Sequence, residues 1–532
     1  MPQYTPHTAD FVVVGAGSAG AALAARLSER PGVSVVVLEA GGEDSDKFAH
    51  IPAAFNQLFQ GPNDWNYRTE PQPELSNRRV YWPRGKMLGG SSSMNAMMWV
   101  RGFAADYDEW ARYAGPSWSF EQVLPYFQRL ESVEEANEPG EGRKGPLHIS
   151  RQRSPRALTH SYLQAAGEAG YPVERANLDR PQGFSQTMVT QKRGARWSTA
   201  DAYLRPARQA GRNITVITEA HATRVLFEGK RATGVEFRVG GVGGEIKQIT
   251  AKREVILSGG AINSPQLLML SGIGDGDRLQ ELGIPVVRHL PEVGRGLRDH
   301  LAAPIVYRTT AGSLYGADKN LLELANYLVL RRGQLTSNIG EAYGFTRSRE
   351  DLDLPDLELI FAPAPYIAEG LGDPDGHALT FAAVLLKPES IGSITITSSD
   401  PFTAPRINPR YCAEPADRAA LLTGLQACVD LAHQPSLKEH IGELMQPAVP
   451  SDTPMEEVLR RCLEDHAHTL YHPVGTCAMS RDESSVVDPE LRVRGIEGLR
   501  VADTSVMPMI TRGHTHAPAV LIGEKAADLI TA

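Results

Sequence analysis

The sequence predicts an α/β protein with a second, α+β domain, on three observations. Residues 10–41 read DFVVVGAGSAGAALAARLSERPGVSVVVLEAG: an apolar strand, a glycine-rich turn, an Ala/Leu-rich helix, a second apolar strand and an acid. Residues 213–257 alternate in the manner of antiparallel strands, in NITVITEA, ATRVLFEG, ATGVEFRV and EVILSGG. Far downstream, the strand-like GLRVADTSV and the helical PAVLIGEKAADLI close the chain. The first stretch has the order of a Rossmann-type βαβ unit, and the late return segments imply that its domain is discontinuous.

Each part of the opening unit has a physical reason. Gly15 allows the tight turn, Gly17 lets the backbone approach a pyrophosphate, and Gly20 lets the helix pack closely on the strand. The helix N-terminus offers free N–H groups and a positive dipole end to phosphates. Glu39 lies about 20 residues past the last glycine, where a carboxylate accepts hydrogen bonds from ribose hydroxyls. An acid there argues against a 2′-phosphate, hence against NADP, and leaves NAD and FAD open. A loop-rich region with Trp65 and Trp82 spans 42–90, and helical patterns follow at 105–132 and 155–170. The pair Ser264–Pro265 reads as a helix start with Pro at the first helical position. From 305 to 460, strand-like runs (DLELIFAP, ALTFAAVLL, GSITITSSD) alternate with helical ones such as ADRAALLTGLQACVDLAHQ.

At 532 residues the chain exceeds a single typical core, so two or more domains are expected. A net charge of −9 leaves no electrostatic footprint for nucleic acid and no reason to expect binding to an anionic membrane. No apolar run approaches the about 18 residues of a transmembrane helix, and no basic segment with an apolar core precedes the first strand. Neither an integral membrane segment nor a signal peptide is therefore expected. Cys412, Cys428, Cys462 and Cys477 lack C-x-x-C spacing, which fits neither a zinc site nor a disulfide scaffold and suits a cytoplasmic location.

Three blocks carry candidate chemistry. RGKMLGGSSSMNAMMW at 84–99 can wrap a ligand with backbone N–H groups and hydroxyls, although a surface loop reads similarly. GGAINSPQLLMLSGIG at 259–274 reads by itself as a structural junction. YHPVGTCAM at 471–479 and MITRGHTHAPAVLIGEKAADLI at 509–530 bring His472, His514 and His516 into loop-like sequence, which points to acid–base or metal work. The H-x-H pair has no convincing third and fourth partner nearby, so no metal is expected. A Ser-His-Asp hydrolase lacks its G-x-S-x-G elbow.

Together, GAGSAG with Glu39, the blocks at 84–99 and 259–274, GRGLRDH at 294–300, YHPVGT, LRVADTSVMP and GEKAADLI resemble the glucose–methanol–choline (GMC) oxidoreductases over nearly the whole length. The resemblance implies FAD as cofactor. It also implies a Rossmann-type FAD-binding domain at 1–155, 214–305 and 465–532, and a substrate-binding domain with an antiparallel sheet and flanking helices at 156–213 and 306–464. His472 takes the position of the general base toward an alcohol, and His514 that of its partner. A His/His pair is similar to aryl-alcohol oxidases, whereas H-T-H at 514–516 departs from the N-x-N stretch of choline oxidases. Some relatives attach FAD through a histidine just before the Asn of the second block. Met94 stands there, which implies noncovalent FAD.

The same mapping places Gly15, Gly17, Ser18, Gly20, Glu39 and Ala40 on the ADP half. It places Trp65, Arg84, Leu88, Gly90, Ser91, Asn95 and Met97 on the flavin side. Val225 is expected to meet the adenine through its backbone, and Asp503, His514, Thr515 and Pro518 to close over the ring. Tyr471, Phe361 and Tyr366 are candidates for the substrate wall. The expected reaction is oxidation of a neutral primary alcohol, aromatic or furanic, to the aldehyde, with hydride passing to flavin N5. Dioxygen or a quinone-like carrier is the expected electron acceptor. A flavin-containing hydroxynitrile lyase and a choline dehydrogenase-like enzyme are the alternatives.

Overall fold

The computed structural model describes residues 6–310 and 312–531. Thr8–Val14 (β1) and Val35–Leu38 (β2) flank Ser18–Leu27 (α1). Phe184–Gln186 (β3) precedes Ile214–Ile217 (β4), Ala220–Glu228 (β5), Arg231–Val239 (β6), Glu245–Leu257 (β7) and the helix Gly260–Leu270 (α2). Leu301–Arg308 (β8), the helix Leu321–Leu330 (α3), Ala342–Thr346 (β9), Leu357–Ala362 (β10) and Ala378–Leu385 (β11) come next. Leu444–Gln446 (β12), His468–Thr469 (β13), Leu499–Val501 (β14) and the helix His516–Thr531 (α4) end the chain.

The first sheet has the order β4-β2-β1-β7-β6-β5, with β14 beside β7. Strands β1 and β2 are covered on both faces, so they read as unbroken apolar runs rather than alternating ones. The antiparallel reading of 213–257 holds only in part. Strand β4 is parallel to β2, and β7 is long enough to change partners along its length. Glu245–Thr250 pairs antiparallel with β6, and Thr250–Leu257 runs parallel to β1. The second sheet, β12-β8-β11-β10-β9-β3 with β13 beside β8, is antiparallel throughout. It takes β8 from Leu301 and β13 from His468, so domain limits drawn at 305 and 465 fall inside its territory.

The carboxyl ends of β1, β7 and β14 converge, and the turns that leave them are tight. Gly15 has φ +101°, and a Cβ there would lie 2.4 Å from the Ser258 carbonyl oxygen. A Cβ on Gly20 would lie 2.0 Å from the Gly15 oxygen, which is why α1 can sit so close to its strand. The helix after β7 starts at Gly260, earlier than Ser264–Pro265, so Pro265 lies inside it. Pro265 has no N–H for the Ala261 carbonyl, and Thr476 Oγ1 donates to that oxygen instead, at 2.6 Å.

The C-terminal helix packs on α1, roughly 500 residues away in sequence. Glu524, fully buried, accepts from Arg26 Nε at 2.9 Å, Arg129 Nε at 2.8 Å and the Tyr203 hydroxyl at 2.7 Å. This knot brings the loop 502–515 over the carboxyl ends of the parallel strands. Among the described residues no helix is long and apolar enough to cross a membrane.

Candidate active site

A cavity runs from the Gly15 turn to the inner face of the second sheet. Its first end is a cradle. A Cβ on Gly90 would lie 2.8 Å from Gly17 Cα, so the two loops pass with no side chain between them. No side chain caps α1, which leaves its first N–H groups for a ligand. Glu39 accepts from the N–H groups of Ala16 (2.9 Å) and Gly41 (2.8 Å), and burial pushes its carboxyl up to about 6. Asp503 accepts from Ser264 Oγ at 2.6 Å and from the Gly260 and Ser505 N–H groups at 2.9 and 2.8 Å. Burial raises its carboxyl pKa as well. These contacts make an extended groove, bare of side chains where Gly90 passes Gly17 and ending in helix N–H groups, which fits a dinucleotide such as FAD.

Most of the expected cofactor residues line this cavity: Gly15, Gly17, Ser18, Glu39, Ala40, Trp65, Arg84, Gly90, Ser91, Asn95, Met97, Asp503, His514 and Thr515. Gly20 acts one layer back, in the packing of α1 on Gly15. Three others of the expected residues stand off the cavity lining. Val225 has its N–H bonded to Ser271 Oγ at 2.9 Å and lies off the cavity, where Ala220, His221 and Ala222 stand instead. Leu88 is 2% exposed in the core, and Pro518 is covered while Ala519 faces the cavity.

The other end holds the histidines. His472 and His514 meet edge to face with ring centroids 4.8 Å apart. Behind His472 stands His300, Nδ1 to Nδ1 at 2.9 Å, and the Nε2 of His300 lies 3.1 Å from the Leu386 carbonyl oxygen. A carbonyl only accepts, so His300 carries its proton on Nε2. Burial holds this ring neutral, with a pKa of about 3, so its Nδ1 is an acceptor. His472 therefore donates from Nδ1 and keeps a lone pair on Nε2. Burial first, then the neighbouring His514 and His300, hold the His472 pKa well below the ordinary histidine value. Its backbone N–H is fixed by Asp299 Oδ1 at 2.8 Å.

His514 Nε2 lies 3.1 Å from Glu358 Oε1, and Glu358 is fully buried with its Oε2 unpartnered. His516 Nδ1 meets Ser18 Oγ at 3.1 Å, which ties the C-terminal loop to the start of α1. Asn95 Oδ1 is held by Arg196 Nη1 at 2.7 Å and by the Met97 N–H at 3.0 Å, which turns its amide nitrogen free of them. Burial pulls Arg196 down to about 9.

The sequence reading missed His300, Glu358 and Arg196. Glu358 had a local signal: it is the one acid within the apolar β10 and shares its face with Ile360 and Ala362, which line the cavity. The same parity corrects Phe361. It points to the opposite side, stacked on Tyr162 at 4.6 Å within the core, and forms no part of the substrate wall. Tyr366 and Tyr471 do line the cavity, with hydroxyls 3.4 Å apart. Tyr471 OH also donates to buried Glu369 at 3.1 Å, and burial pushes that carboxyl up to about 8. Phe55, Phe59, Met98, Ile339 and Leu470 complete an apolar wall around the histidines. Elsewhere, Asp44, His50 and Asp201 come together, but the Arg205 guanidinium binds both carboxylates.

Comparison with known proteins agrees with this geometry. Two family models, each described as GMC oxidoreductase, match residues 9–302 and 388–523. An uncharacterized GMC-type oxidoreductase of Mycobacterium tuberculosis is 56% identical over 528 residues, covering 98% of this chain and 99% of that protein. The alcohol dehydrogenase [acceptor] of Pseudomonas putida is 39% identical over 529 residues, covering 98% and 95%. The crystal structure of pyridoxine 4-oxidase from Mesorbium loti superposes with a TM-score of 0.87 at 30% identity, covering 98% of each chain.

Proposed function

Because the chain belongs to the GMC oxidoreductase family, we propose that it oxidises a neutral primary alcohol, aromatic or furanic, to the aldehyde, with His472 as general base. It is an FAD-dependent oxidoreductase acting on CH–OH donors, and its FAD is held without a covalent link. When bound, FAD supplies the two-electron acceptor for the hydride that leaves the carbinol carbon. The residues at 15–41, 84–97 and 503–515 that line the cradle would hold it.

The chain's own contribution is proton chemistry and position. His472 Nε2 takes the hydroxyl proton, a step for which a neutral imidazole is suited and which contributes on the order of 10²–10⁴-fold. His514, fixed by Glu358 through Nε2, stands beside it to position the alcohol and aim the C–H bond. The apolar wall excludes water from the developing alkoxide. One observation carries the reading: the His300–Leu386 chain leaves a lone pair on His472 Nε2 at a cavity walled largely by apolar side chains.

The wall also favours a neutral substrate. The acid nearest the two tyrosines, Glu369, accepts from the Tyr471 hydroxyl, and burial pushes its carboxyl up to about 8, toward the neutral form. A carboxyl biased toward its neutral form is a weak partner for a quaternary ammonium group. The electron acceptor is dioxygen or a quinone-like carrier. Four buried, free cysteines suit a cytoplasmic setting.

The test is a panel of benzylic, furanic, aliphatic and amino alcohols, followed as peroxide under air and as dye reduction without oxygen. Benzylic or furanic alcohols are expected to turn over best. Turnover confined to amino alcohols would overturn the substrate class. Cyanohydrin cleavage without flavin bleaching by any alcohol would overturn the reaction.

A further inference from the structure

We propose that α3 is a docking surface for a phospholipid bilayer bearing anionic headgroups. Leu321, Leu322, Ala325, Leu328 and Val329 fall at i, i+1, i+4, i+7 and i+8, which is one face of a helix. In a surface helix that spacing marks the buried face. Here it is the face turned to solvent, with Leu321 79%, Leu322 82% and Val329 78% exposed. The face toward the body is held by Tyr327, which is 1% exposed and donates its hydroxyl to the His50 carbonyl at 3.2 Å. The helix is therefore firmly seated with its apolar stripe outward. Single exposed leucines are ordinary on protein surfaces, but a contiguous stripe marks an interaction site.

Charge selects the occupant. Lys319 precedes the helix and Arg331 and Arg332 follow it, all three exposed. The acid on the helix, Glu323, turns back and accepts the Gln334 N–H at 2.8 Å. The carboxyl end of the stripe is thus cationic, whereas at its start Lys319 directly follows Asp318 in sequence. A parallel second copy sets Arg331 and Arg332 against their own counterparts, whereas a plane of anionic headgroups neutralises them. Ten residues span about 15 Å, roughly half of a bilayer's hydrocarbon core, so the helix lies in the interface and does not cross it. The overall charge of −9, from which no membrane affinity was expected, conceals this local arrangement. The turn after α3 leads directly to Asn338–Gly340, which wall the cavity, so the docked face adjoins the substrate end.

The test is co-sedimentation of the flavin-loaded, full-length protein with vesicles of phosphatidylcholine, with and without phosphatidylglycerol. The protein is expected to bind the mixed vesicles, and added salt to weaken that binding. The double substitution Leu322→Glu/Val329→Glu is expected to lower partitioning by about tenfold or more, and Arg331→Glu/Arg332→Glu by several-fold. Flavin absorbance and melting temperature should stay unchanged in both, which separates lost docking from misfolding. Failure to bind either vesicle, or equal binding by the Leu322→Glu/Val329→Glu protein, overturns the proposal. A wild-type dimer in sedimentation velocity that the same pair converts to monomer, without vesicle binding, assigns the stripe to a second copy instead.

Discussion

Replacing His300 tests the proton arrangement around His472. His300→Leu keeps the bulk of the side chain but removes the Nδ1 acceptor 2.9 Å from His472 Nδ1 and the donor to the Leu386 carbonyl. The His472 ring is then free to carry its proton on Nε2, which blocks the base. The bond alone is worth about 1 kcal/mol, or five- to tenfold in tautomer population, and the buried setting strengthens it. Partners that orient a catalytic or metal-bound ring typically account for 10–100-fold, so a loss of about 10–100-fold in the limiting rate of flavin reduction is expected. Apparent substrate affinity should change little, because His300 is fully buried behind His472.

His300→Gln supplies an amide oxygen and an N–H and is expected to recover most of the rate. The assay is anaerobic stopped-flow reduction over a range of pH. The base must be neutral and its pKa is depressed, so the wild-type rate is retained above the ordinary histidine value and lost only as pH falls well below it. An unchanged rate in His300→Leu, or a Gln variant as slow as the Leu variant, refutes the assignment of the proton to His472 Nδ1.

Two further outcomes follow from packing. Gly90→Ala places a methyl group 2.8 Å from Gly17 Cα, and its φ of +53° disfavours a side chain, so the protein is expected to purify with well under half its flavin, read from the visible-to-ultraviolet absorbance ratio. Glu524→Gln leaves Arg26 and Arg129 facing a neutral amide in the knot that pins α4 to α1. Both arginines are partly exposed and keep Glu29 and Asp528, so a loss of about 1.5–3 kcal/mol is expected, read as a lowered urea midpoint.

What the sequence discloses and what it conceals divide along physical lines. The Gly15–Gly20 turn is legible because only glycine tolerates those contacts, so the requirement is written in the residue type. His472 and His514 are legible because they sit in short stretches of marked composition. His300 and Arg196 act across β-strand pairings and loop crossings that no local pattern encodes, whereas Glu358 carries a local mark as the one acid in the apolar β10. Phe361 shows the opposite failure. Its type suits a pocket wall, but strand parity, fixed by the tertiary register of β10 against β9 and β11, sends it to the core. The parallel half of β7 was hidden because one strand of 13 residues serves two neighbours of opposite sense.

The most direct measurement is anaerobic flavin reduction in His472→Ala by an alcohol that the wild type accepts. With His472 as the base, the limiting rate should fall by about 10²–10⁴-fold while the flavin stays bound and its spectrum is preserved. Reduction at the wild-type rate, with the flavin equally bound, would contradict the proposed role of His472.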